Sequence, residues 1–306
     1  MTTPTTPATP TTPATPLTLA HSPCPNDTFV FHAWTSGLLP GAVPPEVTLA
    51  DIDVTNSLAE KGELDVLKIS YAALPRVLDR YALLPCGGAL GHGCGPLVLT
   101  RGVRDPADLD GGTVAIPTEH STAYLLFRLW AERALPGGSV RTVVMPFHEI
   151  LPAVRDGSVD AGLVIHEARF TFHTYGLHRV VDLGEAWEAR TGLPIPLGAI
   201  VARRDLGAER LAGIADAIRG SVRYAWADPG ASREYVRAHA QEMEAEVLDQ
   251  HIGLYVNAYT EDLGESGYQA VRSLLGLAAR TGAVPALAPG ALDLPAVHGS
   301  GSAGAV

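Results

Sequence analysis

One histidine stands at the end of an apolar run in the segment Asp160-Ala161-Gly162-Leu163-Val164-Ile165-His166-Glu167-Ala168-Arg169. Such a run suits a strand buried in a parallel sheet. At the carboxyl end of such a strand, loops and helix N-termini converge on ligands. An imidazole is the side chain whose ordinary pKa, about 6.5, lets it exchange protons near neutrality. His166 is therefore the candidate catalytic base; the plainer alternative is a core histidine bonded to backbone. Glu167 is placed to orient it, to act as an acid, or to cap the next segment.

Three polar clusters fall where a strand pattern hands over to a helix pattern: Thr55-Asn56-Ser57, Lys68-Ile69-Ser70-Tyr71 and Thr118-Glu119-His120-Ser121-Thr122. Free N–H groups and the helix dipole favour an anion there, so each is a candidate carboxylate site. Ordinary N-capping explains any one of them alone. Lys68 lies among strand-like apolar residues and is one of only two lysines in the chain. A lysine in that setting either snorkels out at the sheet end or pairs with a buried anion.

Other chemistry-bearing residues carry weaker patterns. The spacing of His166, His173 and His178 matches no zinc motif, and no metal site is expected. The glycine-rich stretch 87–95 lacks the Gly-Lys-Ser/Thr ending of a phosphate loop and precedes a strand, so it reads as a hinge or a close packing of backbone. Cys24, between two prolines near a helix start, could be activated as a thiolate. No base is near it in sequence, which favours a structural role.

The elements that must position these residues alternate between β and α. Strand patterns fall at 17–20, 47–52, 64–70, 96–100, 113–117, 141–145, 160–165 and 199–202, with helix patterns from Thr28, over 58–63, 71–81, about 121–135 and 151–155. A long irregular region follows residue 165, and the chain from 206 to about 279 is helical in pattern. A β-α unit, an inserted β-α unit and a helical return predict an α/β fold of two lobes, like a periplasmic binding protein of type II, with the ligand between them. The expected division is 17–99 with 203–285 for the first lobe and 100–202 for the second, crossings near 99–101 and 199–203, and tails at 1–16 and 286–306.

Composition limits the partners. The chain has 306 residues, 46% of them apolar, and a net charge of −11. Nucleic acid and anionic membrane are poor matches to that charge. Three cysteines without a CxxC pair argue against a disulfide framework and for a reducing, cytoplasmic setting. The Thr/Pro-rich start has no basic region or apolar core and reads as a disordered tail, not a signal peptide. No apolar run approaches the roughly 18–20 residues of a membrane span.

The segments SPCPNDTFVFHA (22–33), LKISYAAL (67–74), GGALGHGCGPLV (87–98), HSTAYLL (120–126), AGLVIHEARFT (161–171) and GLPIPLGAIVARRDL (192–206) resemble the 1,4-dihydroxy-6-naphthoate synthase family of the futalosine route to menaquinone. The resemblance implies the two-lobed binding-protein fold, a cytosolic enzyme and no cofactor. It also implies conversion of cyclic dehypoxanthine futalosine to 1,4-dihydroxy-6-naphthoate with release of dihydroxyacetone. The family's proton-accepting histidine falls on His166. Its substrate-binding segments fall on Lys68-Ile69-Ser70 and Ser121-Thr122, with Asn56 a further polar contact. The partner expected is a small substrate carrying a carboxylate, bound by a monomer or homodimer. The alternatives are the chorismate dehydratase that shares the fold and a solute-binding protein that only captures its ligand. The chain resembles the dehydratase less at the SPCPNDTF and IHE segments, and the absence of a lipobox speaks against the solute-binding protein.

Overall fold

The computed structural model describes residues 16–102, 105–137, 140–166, 168–240 and 244–295. Expectations that fell on residues 1–15, Glu167 and 296–306 lie outside the described residues. Two sheets organise the chain. The first joins β1 (Thr18–His21), β2 (Glu46–Leu49), β3 (Val66–Ser70), β4 (Tyr81–Leu83), β5 (Ala89–Gly91) and β11 (Ile195–Arg203), in the order β2-β1-β3-β11-β4 with β5 also on β11. The second joins β6 (Leu97–Thr100), β7 (Thr113–Ile116), β8 (Arg141–Val144), β9 (Ala161–Val164) and β10 (His178–Asp182), in the order β10-β6-β9-β7-β8. In each sheet three strands run parallel, and a returning strand (β11 or β6) pairs antiparallel beside them. The architecture is the expected two-lobed α/β fold.

The helices are α1 (Pro25–Thr35), α2 (Ile52–Lys61), α3 (Thr122–Ala134), α4 (Phe147–Asp156), α5 (Ala168–Thr171), α6 (Leu183–Thr191), α7 (Ala208–Ala227), α8 (Pro229–His239), α9 (Ala245–Tyr255), α10 (Ala258–Glu261) and α11 (Gly264–Arg280). Proline fits the first turn of α1 because its missing N–H has no helical partner there. Ser121 caps α3, its hydroxyl accepting from the Tyr124 N–H at 3.1 Å. Helices α7, α8 and α9 pack on α1, and Phe29, Phe31 and Trp34 fill that layer with Ile200, Ile214 and Ile218. A second core places Leu97, Leu99 and Val164 against Ile150 and Val154 of α4. The largest cluster spans both sheets, joining Leu67 and Ile69 to Val98, Phe127 and Leu163. Each such side chain, fully buried, contributes about 1.5–3 kcal/mol. No helix among the described residues is long and apolar enough to cross a membrane.

Four expectations are corrected. Sheet membership places β6 wholly in the second lobe and β11 wholly in the first, so the chain changes lobe between β5 and β6 and again between α6 and β11, earlier than 99–101 and 199–203. Asp51, not Thr55-Asn56-Ser57, is the N-cap of α2, and those three residues lie within the helix. Residues 71–81 do not form one helix: Pro75 belongs to a single 3-10 turn, Leu74–Arg76, and the chain then enters β4. Residues 286–295 are not a loose tail, because Leu292 is 5% exposed and Arg204 donates to the Ala291 carbonyl at 3.1 Å.

Candidate active site

β9 carries His166 to the rim of a cleft between the lobes. Two residues past the strand, His166 adopts φ +56°, the left-handed region. That conformation costs a side-chain-bearing residue about 1–2 kcal/mol and persists where the surroundings enforce it. Arg169, three residues on, closes the turn: its backbone N–H donates to the His166 carbonyl at 3.2 Å. Its guanidinium donates to the carbonyls of Gly93 (2.7 Å) and Gly95 (2.5 Å) and pairs with Asp182 at 2.5 Å. The imidazole Nδ1 lies 3.3 Å from Cys24 Sγ across the cleft. The ring meets Phe147 edge-on at 5.6 Å and lies parallel to the ring of His251 at 6.3 Å.

The first lobe supplies the opposite wall. In a strand, residues two apart share a face, so Lys68 and Ser70 of β3 turn toward the cleft while Ile69 packs wholly into the core. Asn56, 1% exposed, stands behind Ser70: its Oδ1 accepts from the Ser70 N–H at 2.8 Å, and its Nδ2 donates to Ser70 Oγ at 3.3 Å and to the His120 carbonyl at 3.4 Å. Lys68 Nζ pairs with Asp27 Oδ1 at 2.5 Å, both groups buried. Ser22 Oγ and Asn26 Nδ2 also donate to that carboxylate, at 2.9 and 2.7 Å. Burial alone would raise the Asp27 pKa, but the Lys68 charge and the hydrogen bonds from Lys68 and Ser22 hold it below the usual carboxylate value. Lys68 is thus matched by an anion of the protein.

The second lobe brings the start of α3 to the same cleft through Ser121, Thr122 and Ala123. The Ser121 hydroxyl is committed to capping, donating to the Thr118 carbonyl at 3.1 Å. The Thr122 hydroxyl clasps the lobes together: it donates to the Leu197 carbonyl at 2.8 Å and accepts from the Ala72 N–H at 3.2 Å. What α3 offers an anion is its N-terminal backbone and dipole. The space enclosed between these walls is about 80 Å³. Among the described residues no group of three or more His, Cys, Asp or Glu side chains is placed to hold a metal ion.

Four residues of the site were not assigned to it from the sequence. Asp27 and Cys24 lie within the quoted SPCPNDTF segment, so proximity to a helix start was a usable signal. Arg169 lies three residues beyond His166. His251, on α9, carried no signal: its ring is fully buried, lines the cleft, and has Nε2 3.0 Å from Asn26 Oδ1. Burial first, and the neighbouring His166 second, push His251 down to about 3.

Comparison with known proteins bears on the fold and the family. A chain from Archaeoglobus fulgidus is 34% identical with a TM-score of 0.82, covering 88% of this chain and 98% of that one. The alkanesulfonate-binding protein SsuA from Xanthomonas axonopodis pv. citri shares the fold alone, at 14% identity and a TM-score of 0.68, over 88% of this chain and 94% of its own. Among curated proteins, the 1,4-dihydroxy-6-naphtoate synthase of Streptomyces coelicolor is 68% identical over 91% of this chain and 98% of its own length. The synthase of the same name from Thermus thermophilus is 50% identical over 84% of this chain and 92% of its own. The model of the menaquinone biosynthesis family matches residues 17–280, and the chain belongs to that family.

Proposed function

We propose that this chain is a 1,4-dihydroxy-6-naphthoate synthase, a carbon–carbon lyase of the cytosol that converts cyclic dehypoxanthine futalosine to the naphthoate and dihydroxyacetone. The observation that carries the reading is the placement of His166, held in a left-handed turn at a strand end and facing the start of α3 and Ser70 across one cleft. The substrate carboxylate sits at the α3 N-terminus, where backbone N–H groups and the helix dipole favour an anion, and the Ser70 hydroxyl donates to it. Lys68, neutralised by Asp27, shapes this wall and adds no net charge to it.

His166 then takes a proton from a substrate hydroxyl. The oxygen left behind forms a carbonyl as the adjacent carbon–carbon bond breaks, the electron pair passes into the ring system, and aromatisation draws the reaction forward. Because Nδ1 faces Cys24, the nitrogen that works on substrate is Nε2; an Nδ1–H donated to Sγ leaves the Nε2 lone pair available.

The test is to incubate the purified protein with cyclic dehypoxanthine futalosine and follow the naphthoate chromophore. A positioned base contributes about 10²–10⁴-fold, so His166→Ala should lower kcat by at least that with KM little changed. Normal turnover by the alanine variant would remove His166 from the chemistry. Binding without turnover by the unaltered chain would leave a ligand-capturing protein instead.

A further inference from the structure

Four side chains from Lys68 to His251 are linked so that the proton on His251 can be located. Asp27, held ionised beside Lys68, only accepts hydrogen bonds, so the group Asn26 turns toward it at 2.7 Å must be its NH₂. The Asn26 carbonyl oxygen therefore faces His251 Nε2 at 3.0 Å, and that nitrogen must carry the imidazole proton. In a neutral ring Nδ1 is then a bare lone pair. Among the described residues Nδ1 is buried and has no hydrogen-bond partner, although the ring lines the cleft beside that of His166. An orphaned buried acceptor is costly and calls for an explanation. A histidine that only fastened α9 to α1 would need Nε2 alone.

We infer that His251 is a substrate-binding residue: its Nδ1 accepts a hydrogen bond from a hydroxyl of the molecule bound beside His166. The cleft thereby selects a polyhydroxy ligand and not merely a carboxylate, because a ligand without that donor leaves the acceptor stranded. Phe170 at 6.1 Å and Tyr255 at 4.7 Å flank the ring and fix its plane. The inference rests on the cleft being the active site, and it deepens that reading.

Two measurements test it. In protein labelled with ¹⁵N in its histidine rings, with the His251 signals assigned from their loss in His251→Gln, Nδ1 should be unprotonated in the free protein. It should shift on adding 1,4-dihydroxy-6-naphthoate and stay in place with 2-naphthoate, which has the carboxylate but no hydroxyls. In turnover, His251→Gln keeps a polar group near Asn26 but loses the acceptor, and should lower kcat/KM at least tenfold. His251→Asn, with its amide oxygen near the Nδ1 position, should recover part of that loss. A protonated Nδ1, equal shifts with both naphthoates, or wild-type kcat/KM in His251→Gln would overturn the inference. If the unaltered chain fails to turn over the futalosine while the selective Nδ1 shift is seen, the proposed reaction falls and the hydroxyl-accepting role stands.

Discussion

Asp27 holds the first-lobe wall of the cleft together, because Lys68, Ser22 and Asn26 all hydrogen-bond to its carboxylate. Asp27→Asn would leave the Lys68 ammonium buried without an anion, a loss on the order of 3–5 kcal/mol. The expected result is a lower urea midpoint with unchanged m-value. A stability within about 0.5 kcal/mol of the parent would mean that the pair is not desolvated. Little of this arrangement was legible in the sequence. Lys68 drew attention through its rarity and its apolar neighbours, and pairing with a buried anion was one of its two readings. Its partner lies 41 residues away, and no local pattern joins the two. Cys24 and His166, 142 residues apart, escaped for the same reason, whereas His166 was legible because strand-end placement is a local property.

At the scale of elements, the passage from β5 to β6 depends on backbone rubbing against backbone. A Cβ on Gly95 would stand 2.1 Å from the Gly184 nitrogen, and the loop there already receives two hydrogen bonds from Arg169. Main chain cannot step aside as a flexible side chain can. Gly95→Ala should therefore cost about 1–3 kcal/mol or more and loosen the turn that holds His166. Gly102→Ala, with nothing within 4 Å of the added methyl, should shift the melting temperature hardly at all. Equal melting temperatures for the two variants would show that the contact is not tight. The glycine-rich stretch was legible as either a hinge or close packing, and Gly95 supports close packing. Gly198, next to the crossing expected at 199–203, lies inside β11, opposite Ser70 and against the Lys68 side chain. Strands flanked by clear turns were readable to within a residue or two, as with β7 and β8. The irregular region after residue 165 was not, because α5, β10 and α6 are short and are held by tertiary bonds such as that from the Leu183 N–H to the Pro96 carbonyl.

Over the whole molecule, buried uncharged histidines couple stability to pH. Burial depresses both His21 and His251 below the ordinary value, to about 3 for His251. Below pH 6.5 or so the unfolded chain takes up protons that the folded chain refuses, so stability is lost as pH falls from there. Each fully depressed site contributes a slope of about 1.4 kcal/mol per pH unit, and the depressed Asp27 carboxyl adds its own loss only below about pH 4. Urea unfolding at about pH 7, 6 and 5 should show this decline, shallower by about one proton in His251→Gln. A flat profile would mean that these rings are charged in the folded state. The two-lobed architecture was legible because alternating β and α patterns survive without tertiary detail; the exact crossings were not, since β6 and β11 are apolar enough to suit either sheet.

The Cys24–His166 contact joins residues from opposite lobes, and it has a consequence for timing. Any motion that parts the jaws wide enough to admit a guest also strips the imidazole of its sulfur neighbour. The sulfur and the ring can therefore meet only while the two halves are shut, which makes their separation a built-in gauge of how far the mouth has opened.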